Sequence, residues 1–87
     1  LSEGDLIAEE TSPQGTYTMK AYVVNPHATV SYAVRGELHF NNSKAKPQTI
    51  YWNYREETAD IEWLEENRVT INGIELSVPY GVYDFRR

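Results

Sequence analysis

Acidic side chains crowd one short stretch of this sequence, where Glu56, Glu57, Asp60, Glu62, Glu65 and Glu66 follow closely on one another, with Glu37 upstream. Carboxylates in such supply are what glycoside hydrolysis uses, one as acid and a second as base or nucleophile about 5 to 10 Å away across a cleft. On the polar faces of short strands the same residues make an ordinary solvated surface, which is the plainer reading. The stretch lacks the alternating acidic loop that calcium needs, and His27 and His39 without any cysteine fall short of a zinc ligand set. Nucleophilic catalysis has no Gly-x-Ser-x-Gly elbow or cysteine to use, and no glycine-rich loop is present to cradle a phosphate. The expectation is therefore a chain without a metal, a cofactor or a catalytic centre.

Recognition is better served. Tyr22, Arg35, Glu37, Tyr51, Asn53 and Arg55 all fall on the polar side of alternating runs. If those runs are neighbours, their outward rows form an aromatic and charged patch of the composition found in protein-contact hot spots. The competing reading is structural, with Arg35 simply packing against a cross-strand Glu or Tyr to hold the sheet.

The elements that would position this patch are strands. In residues 16–24, Tyr17, Met19, Ala21 and Val23 alternate with Thr18, Lys20 and Tyr22. In residues 30–40, Tyr32, Val34, Leu38 and Phe40 face one way and Ser31, Arg35, Glu37 and His39 the other. Gly36 falls on the apolar side of that run, which marks a bulge or a hollow filled by a neighbouring aromatic ring. In residues 48–55, Ile50, Trp52 and Tyr54 alternate with Thr49, Tyr51, Asn53 and Arg55, so both faces of a central strand carry aromatics. Shorter alternations centre on Ile61, on Val69 and on Leu76. Residues 58–66 also allow a helix, with Thr58 as N-cap and Ile61 and Leu64 at helical spacing, but the alternation there favours a strand.

Turn chemistry supports hairpins. Asn72-Gly73 suits a two-residue type I′ turn, which needs positive φ at both positions. Ser12-Pro13-Gln14-Gly15 reads as a second turn, with Pro presetting φ and Gly taking the left-handed position, and Glu65-Glu66-Asn67 as a third. Residues 25–29 and 41–47 are longer polar loops, and the ends of the chain, residues 1–5 and 84–87, are expected to fray unless docked. The expected fold is a single all-β domain over residues 1–87, an antiparallel meander of about six or seven short strands forming a small sandwich or strongly twisted sheet.

At 87 residues there is room for one core. Seven Tyr, two Trp and two Phe supply much of the apolar area that the missing disulfides cannot replace. A net charge of -5 opposes sequence-independent attraction to nucleic acid and to anionic membrane. The longest apolar run, residues 21–24, is far short of the roughly 20 residues a membrane-spanning helix requires. The start at Leu1 suggests a mature form or a trimmed chain whose targeting segment is gone.

Several segments together resemble an uncharacterised family of small proteins from Gram-positive bacteria, a domain of unknown function. They are Ser12-Pro13 with Gly15 and Tyr17, residues 28–37, residues 50–56, and Ile71-Asn72-Gly73 with the closing Tyr83-Asp84-Phe85-Arg86-Arg87. The resemblance implies a membrane-anchored protein whose extracytoplasmic domain corresponds to this chain. The resulting expectation is a non-enzymatic binding module for protein or cell-envelope material, acting through Tyr22, Arg35, Glu37, Tyr51, Asn53 and Arg55. The alternatives are a small envelope polysaccharide hydrolase using two of Glu37, Glu56, Glu57, Asp60 and Glu62, and a structural domain that homodimerises through its edge strands.

Overall fold

Alternation gives each strand one apolar face, and such faces must meet to leave water. In the computed structural model, which describes residues 4–24 and 32–84, they meet between two sheets. The strands are β1 (Asp5–Thr11), β2 (Tyr17–Val24), β3 (Ala33–Phe40), β4 (Gln48–Tyr54), β5 (Ile61–Glu65), β6 (Arg68–Ile71), β7 (Ile74–Ser77) and β8 (Tyr83–Asp84). The larger sheet has the order β1-β2-β3-β4-β8, and the smaller one is β5-β6-β7. Met19, Ala21, Val34, Leu38, Ile50 and Tyr51 from the larger sheet pack with Ile61, Val69, Ile71 and Leu76 from the smaller. The architecture is a small all-β sandwich.

The expected meander holds from β1 through β7, where successive strands of each sheet pair antiparallel. It ends with a crossover, because β8 returns to the larger sheet and pairs parallel with β4. β1 and β8 are additions to the expected count. β1 is an exposed edge strand, so Ala8 alone among its side chains packs against the core, too little to print an alternation on the sequence. β8 is two residues long.

Residues 58–66 contain β5, and the structure resolves the choice in favour of a strand. Ile61 and Trp63 turn inward and Leu64 stays 43 % exposed, so the helical spacing of Ile61 and Leu64 goes unused. Leu64 is the extra residue of a bulge, since Trp63 pairs with Val69 and Glu65 with Arg68. Asn72 and Gly73 adopt φ of 51° and 85°, the left-handed conformation a type I′ turn demands, and Gly15 does the same at 82° in the β1–β2 turn. Tyr32, expected on the apolar face, stands exposed just ahead of β3. Residues 25–29, read as a polar loop, lie outside the described residues, as do His27 and the last three positions.

One irregularity governs the face of the larger sheet. Gly36 pairs with Tyr51 and Glu37 with Thr49, so Ile50 is an extra residue on β4. Beyond a bulge the side-chain parity of a strand reverses relative to its partner. Ile50 and Tyr51 therefore both enter the core, each 1 % exposed. Gly36 makes the room: a Cβ there would lie 2.9 Å from the Tyr51 Cβ and 3.3 Å from Ile71 Cδ1. The bulge expected at Gly36 is present, with its extra residue on the facing strand, and the space beside Gly36 is filled by Tyr51 Cβ, Ile71 Cδ1 and Met19 Sδ rather than by an aromatic ring.

Candidate functional site

Parity decides which side chains share the outer face of the larger sheet. Register places Leu6, Tyr22, Arg35 and Trp52 in one row across β1 to β4, and Glu9, Lys20, Glu37 and Thr49 in the next. Thr11, Thr18 and His39 form a third row. Tyr54, two residues beyond Trp52, meets its ring edge-on with 6.3 Å between centroids and is 39 % exposed.

Of the six residues expected at a binding patch, Tyr22, Arg35 and Glu37 are brought together here. Tyr51 and Asn53 are not. The bulge at Ile50 turns both toward the other side of the sheet, so Trp52 and Tyr54, expected in the core, take their places on the outer face. Arg55 follows β4 at a bend with φ of 65°, exposed, its backbone N–H donating to Tyr32 O at 2.6 Å. Positive φ in a residue with a Cβ is uncommon and breaks the strand's alternation at that point.

Arg35 is not the projecting cation that alternation suggested. It is 8 % exposed, with its guanidinium 4.4 Å over the centre of the Tyr22 ring. Its Nη1 donates to Glu37 Oε2 at 3.1 Å and to Thr49 Oγ1 at 3.3 Å. The other oxygen of Glu37 accepts from His39 Nε2 at 2.7 Å. Partial burial of Glu37 works against its charge, but the hydrogen bonds from Arg35 and His39 and their positive charge outweigh it, and its pKa lies below the ordinary 4.5. Arg35, Glu37 and His39 are thus paired with one another. Sequence reasoning also left His39 out of the patch, although its place on the polar side of β3, two residues from Glu37, was visible.

The acidic stretch serves a different purpose. Glu56 accepts from Tyr51 Oη at 2.7 Å, Asn53 Nδ2 at 3.2 Å and Asn72 Nδ2 at 3.0 Å, which ties β4 to the β6–β7 turn. Burial and the Glu56 carboxylate together push the Tyr51 phenol well above its ordinary pKa, so it remains a donor. Asn72 also accepts from the Asp60 backbone N–H at 2.8 Å and donates to Thr58 O at 3.0 Å. Glu66, in the β5–β6 turn, reaches into the β1–β2 turn. There its Oε2 accepts from Ser12 Oγ at 2.6 Å and Thr16 N–H at 2.9 Å, while Oε1 accepts from Gln14 N–H at 2.6 Å. Desolvation opposes this carboxylate's charge, yet the donors from Ser12, Thr16 and Gln14 prevail and pull its pKa down to about 2.

Glu57, Asp60 and Glu62 are exposed. Of the five carboxylates weighed for hydrolysis, Glu37 and Glu56 are thus engaged by donors of their own faces or turns and the other three are exposed, and the described residues form no pocket. Among the described residues no three His, Cys, Asp or Glu side chains gather as a metal would require. Likewise, no helix among them is long and apolar enough to cross a membrane.

Comparison with known proteins gives a family and no activity. No curated protein and no solved structure matches the chain. A family model does, across residues 1–87, and by that match the chain belongs to the family of unknown function DUF5412.

Proposed function

We propose that this chain is a non-enzymatic interaction module, displayed outside the membrane, that binds protein or cell-envelope material through the outer face of its five-stranded sheet. The observation that carries the reading is the cross-strand row Tyr22, Arg35 and Trp52, bordered by the exposed ring of Tyr54 and by Glu37 and His39. Aromatic rings beside a guanidinium are what contact hot spots are built from. The placement outside the membrane follows from the resemblance noted in the sequence, and cell fractionation tests it.

Homodimerisation through an edge draws less support. The β1 edge carries Asp5, Glu9 and Glu10 and a bulge at Ile7, devices that discourage a second strand from adding there. The hydrolase alternative has no observation in its favour, since Glu37 is held in its charged form by two donors rather than primed as an acid.

The test is capture of partners from envelope extract by the immobilised chain, mapped with amide chemical shifts of the labelled protein. Ligands should move resonances of Tyr22, Arg35, Glu37, Trp52 and Tyr54. Shifts confined to the β5-β6-β7 sheet, or no capture at all, would overturn the assignment.

A further inference from the structure

The β6–β7 turn is built from Asn72-Gly73, a pair with a chemistry of its own. The backbone nitrogen of Gly73 can attack Asn72 Cγ, and a glycine brings no side chain to hinder that approach. Gly73 is exposed, and nothing lies within 4 Å of the place where its Cβ would stand, so packing shields neither the nitrogen nor the solvent base that must take its proton. Accessibility alone favours reaction at this turn.

The Asn72 side chain is what restrains it. Its Oδ1 accepts from Asp60 N–H at 2.8 Å, and its Nδ2 donates to Glu56 Oε1 and to Thr58 O, each at 3.0 Å. The Asn72 backbone N–H donates to Asp60 O at 2.9 Å. Both ends of the amide are thereby pinned to the segment between β4 and β5, and Cγ must leave that segment to reach the Gly73 nitrogen. Attack also needs rotation about the Asn72 backbone, which the turn fixes in the left-handed conformation, with φ of 51° and 85° at its two positions. Glu56 is itself held by Tyr51 and Asn53, which extends the restraint into β4. Ring closure must therefore wait for a local opening that breaks these bonds together.

We propose that Asn72 is a deamidation site gated by this clasp, with water as the co-reactant and a product that cannot close the clasp again. The Gly73 nitrogen gives up its proton to solvent base as it bonds to Cγ, the Cγ–Nδ2 bond breaks, and ammonia leaves with a proton returned by solvent. Water then opens the cyclic imide at one of its two carbonyls, at Cγ to give aspartate or at the main-chain carbon to give isoaspartate. Aspartate sets a carboxylate where Nδ2 had donated to Glu56, and the like charges repel. Isoaspartate loses the same donor and lengthens the main chain by one carbon inside a two-residue turn, against the pairing of Ile71 with Ile74.

The 87-residue chain is incubated at neutral pH, folded and in urea above its unfolding midpoint, and reaction at Asn72 is followed by mass spectrometry of the peptide that contains it, with isoaspartate counted by enzymatic methylation. The folded parent should react at least about tenfold more slowly than the unfolded chain, the factor that one hydrogen bond to a charged group is worth. Glu56→Ala, checked for folding by circular dichroism, should react several-fold faster than the folded parent. Asn72→Asp, which supplies one product directly, should unfold at a lower urea concentration than the parent.

Equal rates in the folded and unfolded parent would overturn the gate, and that comparison needs no variant to fold. No reaction at Asn72 in the unfolded chain would overturn the site. A folded Glu56→Ala that reacts no faster than the parent, or an Asn72→Asp as stable as the parent, would overturn the part assigned to the clasp.

Discussion

Gly36→Ala tests the feature on which the arrangement of both faces depends. Gly36 has no positive φ, so an alanine meets no backbone penalty there, and in open space it would gain about 0.4 to 1 kcal/mol from the reduced entropy of the unfolded chain. The space is not open. The new methyl would lie 2.9 Å from Tyr51 Cβ, 3.3 Å from Ile71 Cδ1 and 3.4 Å from Met19 Sδ. Met19 and Ile71 can give at the ends of their side chains. Tyr51 Cβ cannot, because it is fixed to the β4 backbone at the bulge, and its ring is stacked on Tyr83 with 5.6 Å between centroids. Overpacking of a filled core costs about 1 to 3 kcal/mol, so the net loss should be about 1 to 2 kcal/mol. In a domain of this size that lowers Tm by roughly 5 to 15 °C. Thermal and urea unfolding followed by circular dichroism would measure it, with the m-value expected to hold. A variant as stable as the parent, or more so, would refute the close approach of β3 and β4 at this point. The bulge and the exchange of faces between Tyr51 and Trp52 would then have to be abandoned with it.

Further expectations follow from the two acidic clasps and the hairpin. Tyr51→Phe deletes the hydroxyl that donates to Glu56 at 2.7 Å and should cost about 1.5 kcal/mol in urea unfolding, the low end for a hydrogen bond to a charged group; a loss indistinguishable from zero would sink the clasp. Glu66→Gln should lower the urea midpoint, because an amide has one acceptor oxygen and its NH2 would confront an N–H or O–H donor of the β1–β2 turn. The pKa of Glu66 falls from an ordinary 4.5 to about 2 on folding, so its stabilisation is complete above about 4.5 and is lost as pH drops toward 2. Acid unfolding of Glu66→Gln should accordingly depend less steeply on pH in that window than the parent; parallel curves would contradict the assignment. The residual slope should include Glu37, whose pKa is also lowered. Gly73→Ala meets nothing within 4 Å but must hold φ near 85°, so the expected loss is about 1 to 2 kcal/mol from backbone strain alone. A neutral result would mean that the turn is not type I′.

How much of this was legible in the sequence follows from what period-two alternation can and cannot carry. Met19 and Ala21, Val34 and Leu38, and Val69 and Ile71 declared the core because each lies in an unbroken run whose pairing is regular. Asn72-Gly73 declared its turn because positive φ at two consecutive positions admits few residue types. Tyr51 and Trp52 were assigned to the wrong faces for a reason that lies on a different strand. The extra residue at Ile50 sits opposite Gly36, and a register between two strands is not written in the alternation of either. Gly36 was the one available sign, and it could be read only as a local hollow, not as a reversal of everything downstream on β4.

The acids misled for a related reason. A carboxylate on a solvated face and one that collects three backbone or side-chain donors look alike in sequence, since the donors come from distant turns: Ser12, Gln14 and Thr16 for Glu66, and Asn72 for Glu56. Residues that looked available for chemistry are therefore engaged in holding loops to the sandwich, while two rings that looked like core, Trp52 and Tyr54, turn to the outer face of the larger sheet. This exchange changes which substitutions can report on function. Replacing Tyr51 or Asn53 would loosen the Glu56 clasp and depress any activity through stability, so a loss of binding there would carry no information about a site. The Tyr54 ring is 39 % exposed on the face where Tyr22, Arg35 and Glu37 lie, so a loss of binding on its replacement at unchanged unfolding midpoint can be assigned to the face itself.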